Sequence, residues 1–396
     1  MRLVFTTDDY IYAGRPRPGF PVILGDDMAP ARPFHDYLHD NLLGRGKTLD
    51  VKTWEAYGRR LWDFARYLHT NGLTWDQPFI AHGQSVVRIY RDWQAQDLKL
   101  EPATINDRLK TVTHFYEWAL DKRLIQHLPF GYEDKKVSGI EHDLRHVTGG
   151  QAVFSRPNVL LDEWDKEPVF LTGAQIKLAR ESIRSMSQRL LLDLMVRVGL
   201  RSIEARTFPL KYVVDPATCA HWKPGMMIDV RLDPRDMDIK FKKPRVVHIP
   251  YSLMQDMYQY TLFERNRLLK EGLEARALIL TTYGQPYSKD SARKVMHDIG
   301  QRLGFPIRPL MLRHSYAIHT LLLLRNRPDF KGEPLMYVRD RLGHKNVQTT
   351  MIYLKQIERL AGGEALAMME EFDRMFAVRT TLLTQSVCDP SAEQKH

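Results

Sequence analysis

The chain has 396 residues, more than most single hydrophobic cores reach, so two domains with extensions are expected. Its 58 lysines and arginines against 48 acidic residues give a formal charge of +10, which draws it to polyanions; nucleic acid is the expected partner, although charge by itself suits a ribosomal or peripheral membrane protein as well. Cys219 and Cys388 are too few for a disulfide framework or a zinc site, and neither a long apolar run nor a signal-like N-terminus is present, so a cytoplasmic protein with no membrane contact is expected.

Residues 1–46 are rich in Pro, Gly and aromatics (Tyr10, Tyr12, Pro16, Pro18, Phe20, Pro21) and lack a sustained helical period. They read as an irregular or short-strand extension, either packed across the first domain or in contact with DNA or a neighbouring protomer. From Asp50 the pattern changes. Trp54, Tyr57, Leu61, Phe64, Ala65 and Leu68 recur at three and four residues and put one apolar face on a helix that Asn71-Gly72 closes. Val86, Val87, Ile89, Tyr90 and Trp93 predict a second helix, and Pro102 opens a third carrying Ile105, Leu109, Val112, Phe115, Tyr116 and Trp118. Residues 47–130 thus predict a small all-α domain. Its aromatics are assigned to packing, and Arg108 and Lys110 between them are candidate DNA contacts.

Residues 131–167 break the helical period with Lys135-Lys136, Gly149-Gly150 and Pro157 and read as a linker. A second domain, 168–361, begins at Leu171-Thr172-Gly173-Ala174-Gln175, where Thr172 and Gln175 form a capping-box signature. A helix follows, then a more apolar one through Leu190 to Val198, ending in Gly199-Leu200-Arg201-Ser202-Ile203-Glu204. Stretches 226–231, 237–241 and 245–249 predict three short antiparallel strands, and helices resume over 252–273 and 288–303. Leu366, Met369, Phe372 and Phe376 fall on one face of a further helix, 362–376, ahead of a polar tail.

The organising stretch is 310–353. It reads Leu310-Met311-Leu312-Arg313-His314-Ser315-Tyr316, passes an apolar run at Leu321–Leu324, and reaches Leu342-Gly343-His344 with Thr349, Thr350 and Tyr353 beyond. These intervals of arginine, histidine and tyrosine resemble the C-terminal boxes of the tyrosine recombinases, the phage-integrase family. Gly-Leu-Arg-Ser-Ile-Glu at 199–204 resembles its first arginine box, and the helices from Thr53 to Trp118 look like its core-binding domain. The resemblance implies a mainly α fold with a small antiparallel β-sheet, built as a two-domain clamp of a helical core-binding domain and an α+β catalytic domain.

It also implies roles. Tyr353 would be the nucleophile on a DNA phosphate. Arg201 and Arg313 would grip the non-bridging oxygens, since a guanidinium is always charged and donates two parallel hydrogen bonds. Glu204 would hold Arg201, and His344 would donate to the phosphate from the far side. Lys240, in Lys240-Phe241-Lys242-Lys243-Pro244-Arg245, is the candidate general acid for the departing 5′ oxygen. Lys242 and Lys243 are alternatives in that role, and Lys242, Lys243 and Arg245 are also candidate DNA contacts. Where most relatives carry a histidine three residues before the second arginine, this chain has Leu310, which cannot move a proton. Slower catalysis, replacement by Arg308 or His314, or loss of cleavage are the options, and His314, adjacent to Arg313, is expected to point elsewhere.

As the resemblance implies, the product would be a 3′-phosphotyrosyl bond and a free 5′ hydroxyl, with no cofactor, ATP or metal required. The partners would be double-stranded DNA, three further copies in a tetramer on paired sites, and accessory DNA-binding proteins; the 362–376 helix would either dock on a neighbour or fold back. A non-cleaving architectural or regulatory DNA-binding protein is the competing expectation, and a type IB topoisomerase-like relaxing enzyme is the third.

Overall fold

A computed structural model describes residues 1–45, 50–80, 83–136, 153–163, 167–269, 275–359, 368 and 371. The chain divides into two compact units, Met1–Asp165 and Lys166–His396.

In the first unit, strand β1 (Arg2–Phe5) pairs antiparallel with β4 (Pro21–Leu24), and β2 (Ile11–Tyr12) pairs with β3 (Arg15–Pro16). The N-terminal stretch is therefore short-stranded, and it packs on the helices of its own unit: Phe20 and Ile23 are fully buried among them. Helix α1 (Phe34–Leu38) runs into a π-helical segment, His39–Gly44. Helix α2 (Val51–Thr70) starts where the Asp50 side chain accepts the amide of Lys52, α3 (Val86–Gln96) starts at Ser85, and α4 (Pro102–Asp121) starts with proline in its first turn, where a missing N–H costs nothing. Phe64, Tyr90, Phe115 and Tyr116 are fully buried and stack edge-on with one another, as packing aromatics do. The stretch expected to be a linker contains a ladder: β5 (Tyr132–Lys136) pairs with β6 (Val153–Pro157), and Val159 just beyond is buried in the same aromatic core.

The second unit opens with α5 (Gly173–Glu181), whose capping box is formed as its sequence predicts, Gln175 N to Thr172 Oγ1 at 3.2 Å and Thr172 N to Gln175 Oε1 at 3.0 Å. Helices α6 (Met186–Arg197) and α7 (Ser202–Arg206) follow, then β7 (Met227–Leu232) and β8 (Arg245–Pro250), paired antiparallel. Only these two of the three expected strands form. Met237 and Ile239 point inward as strand residues would, but Phe241 at φ 69° and Lys242 at φ 49° turn the chain left-handed and end any extended run there. The helix expected over 252–273 is interrupted at Phe263, giving α8 (Tyr251–Leu262) and α9 (Glu264–Leu268), with 270–274 outside the described residues. Helix α10 (Lys289–Leu303) packs on α5, α6 and α7.

The unit centres on α11 (Pro309–Arg325), packed on α6, α12 (Pro334–Leu342) and α13 (Gln348–Arg359). Two polar residues of α11 pin the start of the unit: Ser315 Oγ accepts the amide of Leu171 at 2.8 Å, and His319 Nε2 donates to the Leu171 carbonyl at 2.9 Å. Between α6 and α7 the chain reverses at Gly199, φ 73°, over the ring of Tyr316 on α11. The helix expected over 362–376 lies outside the described residues, apart from Met368 and Glu371. Among the described residues no helix is long and apolar enough to cross a membrane.

A Cβ on Gly199 would fall 2.3 Å from Tyr316 Cδ1, in a left-handed backbone conformation. Gly199→Ala should cost more than the roughly 1–2 kcal/mol of left-handed strain alone, because overpacking adds about 1–3 kcal/mol. Gly225→Ala supplies the comparison: at φ 87° with nothing within 4 Å of the new Cβ, it carries the strain without the overlap. Urea unfolding of the two variants should therefore separate them, with Gly199→Ala clearly the less stable.

Candidate active site

Arg201 and Glu204 are set by the turn after α6. Glu204 sits in the first turn of α7 and reaches back, its Oε2 accepting the Arg201 amide at 2.8 Å and its Oε1 lying 3.3 Å from Arg201 Nη1. The carboxylate is fully buried, and a second arginine completes its shell: Arg245 donates from Nη1 to Oε1 at 2.9 Å and from Nη2 to Oε2 at 2.6 Å, while its Nε holds the Arg341 carbonyl at 2.9 Å. Burial pushes the Glu204 pKa up, but the hydrogen bonds and charge of Arg245, the charge of Arg313 and the Arg201 amide outweigh it and hold the group below its ordinary value. Arg245, expected at the DNA surface, is instead turned inward. Its strand explains this, because Arg245 shares a face with buried Val247 and Ile249, the period-2 signal that sequence reading passed over.

Arg313, from the second turn of α11, is 4% exposed. It donates from Nη1 to the Gly199 carbonyl and from Nη2 to the Leu342 carbonyl, both at 2.6 Å. Burial, and next the charge of Arg201, pull its pKa down to about 9, so it remains cationic at neutral pH. His344 is presented by the end of α12, where Gly343 at φ 65° caps the helix and the His344 amide returns to the Arg339 carbonyl at 3.1 Å. Its Nδ1 lies 2.9 Å from Thr350 Oγ1 and its Nε2 3.4 Å from Arg313 Nη2. Burial and the neighbouring guanidiniums, Arg313 first, drive its pKa down to about 3. The ring is therefore neutral across the physiological range, with Nδ1 at the Thr350 hydroxyl and Nε2 facing Arg313.

Tyr353, on α13, is 2% exposed. Burial raises its phenol pKa, while Arg313 and Arg201 oppose the rise. Its Oη lies 2.9 Å from His314 Nδ1, and its ring stacks on that of His344 with centroids 6.4 Å apart. His314 is thus the residue that sequence reading misplaced. It was expected to point away, yet it stands one helical turn after Leu310, on the same face of α11, and touches the phenol. Leu310 itself is 63% exposed.

Lys240, Lys242 and Lys243 occupy the exposed turn before β8. The Lys240 amine lies 5.0 Å from the centroid of the Phe241 ring, and that of Lys345, next to His344, lies 4.9 Å from the same ring. In the first unit, Arg108 is held by Asp63 at 2.6 Å, and Asp63 also takes the hydroxyl of buried Tyr90, so Arg108 is a structural group there. Lys110 lies half-exposed 3.8 Å from Glu163.

The family model described as the phage integrase family matches residues 170–359. Transposase A from transposon Tn554 of Staphylococcus aureus is 26% identical over 266 residues, covering 66% of this chain and 68% of that protein. Tyrosine recombinase XerD of Oceanobacillus iheyensis is 22% identical over 80% of this chain and 91% of its own length. Among solved structures, the XerH site-specific recombinase bound to palindromic difH substrate superposes with a TM-score of 0.55 at 17% identity, covering 84% of each chain. The Tn1549 transposon integrase in complex with a circular intermediate DNA gives 0.55 at 14% identity, over 82% of this chain and 98% of that one.

Glu204→Gln should leave Arg245 and Arg201 without their counter-charge in a buried site and destabilise the second unit by about 3–5 kcal/mol. Because the folded Glu204 pKa lies below its unfolded value, the carboxylate's contribution is fully present above about pH 4.3 and is lost as pH falls through the lower folded value. Chemical unfolding at a series of pH values should show the gap between wild type and Glu204→Gln largest near neutrality and shrinking in acid.

Proposed function

We propose that the chain is a tyrosine recombinase of the phage integrase family, a site-specific DNA recombinase acting in the cytoplasm on a mobile element, which cuts and rejoins DNA through a 3′-phosphotyrosyl bond. The observation that carries the reading is the convergence on buried Arg313 of the Gly199 turn, the Leu342–His344 segment and the electrostatic field of Arg201 and Tyr353, drawn from boxes more than a hundred residues apart in sequence. Two similar proteins, the Tn554 transposase and the Tn1549 integrase, belong to transposons, which supports the mobile element. Solved neighbours are bound to DNA, which supports duplex DNA as the partner.

The chemistry follows from charge. Tyr353 Oη attacks a backbone phosphorus, the P–O5′ bond breaks, and the phosphate passes through a pentacovalent dianion. Arg201 and Arg313 stabilise that charge through fixed guanidinium N–H groups, and His344 donates to a non-bridging oxygen. Lys240 protonates the leaving 5′ oxygen, with Lys242 and Lys243 beside it on the phosphate backbone. The phosphotyrosyl bond conserves the energy of the phosphodiester, so a second 5′ hydroxyl reverses the step. Residues 47–130 serve as the core-binding domain and 168–361 as the catalytic domain, on a tetramer assembled over paired sites with accessory DNA-binding proteins.

On a nicked suicide substrate the wild-type protein should form a covalent protein–DNA adduct that Tyr353→Phe cannot form. Arg201→Lys and Arg313→Lys should slow adduct formation by about 10²–10³-fold. Tight binding with no adduct from wild type would instead favour the architectural reading that Leu310 invites. Equilibrium sedimentation should find monomers without DNA; a stable tetramer in its absence would contradict assembly on the site.

A further inference from the structure

We propose that His314 is the proton acceptor for the Tyr353 phenol, taking over from α11 the proton-moving role that Leu310, one turn earlier, cannot fill. The proposal rests on the recombinase reading and names one more catalytic residue within it. Its ground is geometric: His314 Nδ1 lies 2.9 Å from the phenol oxygen, and the rings sit 5.5 Å apart, tilted by 57°. The other charged groups around the phenol are of the wrong kind to take a proton. Arg313 on α11 and Arg201 at the start of α7 can only donate. His344, between α12 and α13, is engaged with Thr350 and Arg313. Arg245 on β8 and Glu204 on α7 are bonded to each other behind the arginines.

His314 is in the right protonation state before DNA arrives. Burial, and then the charge of Arg313, lower its pKa to about 4, so at neutral pH the ring is uncharged and, in the Nε2–H tautomer, offers a lone pair at Nδ1. That same depression makes it a weak base in the empty site. An entering phosphate supplies the correction, because its negative charge offsets the guanidinium that repels a proton on His314. In the reaction the Oη–H bond breaks and Nδ1–H forms as the oxygen's electron pair closes the new O–P bond. The P–O5′ pair departs with the 5′ oxygen and is protonated from Lys240. In the rejoining step each proton retraces its path. The imidazole is therefore charged only while the phosphorane or phosphotyrosyl group is present to pay for it.

The test is single-turnover adduct formation on a nicked suicide substrate, with His314→Ala and the shape-conserving His314→Asn. Both should bind DNA as wild type does and form adduct about 10²–10⁴-fold more slowly. Their rates should rise with pH where that of wild type is flat, and added imidazole should restore His314→Ala. On a substrate whose scissile 5′ oxygen is replaced by sulfur, a leaving group that needs no protonation, the His314 defect should persist while that of Lys240→Ala is relieved. Wild-type rates in both His314 variants would overturn the proposal. So would a defect that sulfur relieves, which would place His314 on the leaving group, or one that neither pH nor imidazole changes, which would make it structural. Absence of any adduct from wild type would overturn the recombinase reading itself, a result distinct from these.

Discussion

One buried carboxylate is the constraint on which the second unit depends. Glu204 is fully enclosed, and an unpaired charge there would cost many kilocalories per mole; what makes it tolerable is the bidentate grip of Arg245 and the amide and guanidinium of Arg201. In return it lets three guanidiniums, those of Arg201, Arg245 and Arg313, share one region without flying apart. Three cations against one anion leave this cluster with two uncompensated positive charges. If the scissile phosphate is held here, as proposed, a phosphodiester would bring one negative charge and the phosphorane two, so the field would match the transition state better than the ground state, the condition for lowering a barrier rather than merely binding.

The arginines also differ in how they are held. Arg201 and Arg245 take their geometry from a carboxylate, whereas Arg313 takes its own from two main-chain carbonyls, at Gly199 and Leu342. Carbonyls do not titrate, so Arg313 keeps its place at any pH at which the fold survives. Both carbonyls sit beside glycines in the left-handed conformation or next to one, Gly199 itself and Gly343 after Leu342, and Gly343 also passes close under the Arg245 side chain, where a Cβ would meet Cδ at 3.0 Å. The two Leu-Gly or Gly-Leu pairs in the boxes are therefore part of the arginine's mount, not spacers between functional residues.

Most helices could be read from the sequence because their signals are local: Asp50, Ser85 and Pro102 start helices where their caps or fixed φ dictate, and the Thr172–Gln175 box closes as its spacing requires. The residue types of the site were legible for the same reason, each box being short. What was lost was whatever depended on a partner far away. The third strand failed because alternation at Met237 and Ile239 reports burial but not the left-handed turn at Phe241 and Lys242 that denies it a ladder. The inward aim of Arg245 was written in its alternation with Val247 and Ile249, but basic neighbours at Lys242 and Lys243 suggested surface. His314 was missed by counting from Arg313, its neighbour in sequence, rather than from Leu310, its neighbour on the helix face.

The two ends of the reaction are consequently prepared to different degrees. In the proposed mechanism the phenol, His314 and Arg313 are placed by buried contacts that form without DNA, while His314 gains its basicity only when a phosphate enters. The candidate acid is on an exposed turn, its ammonium held over Phe241 by an interaction worth about 0.5–1 kcal/mol at such a site, with Lys345 on the same ring. A phosphate competes easily with that hold. With Lys240 as the proposed acid, the negative charge of a seated duplex would draw it from the ring to the 5′ oxygen and so couple departure of the leaving group to DNA engagement. On that proposal, a site whose base is strengthened and whose acid is recruited by the bound phosphate backbone would be protected from cutting what it has not fully engaged.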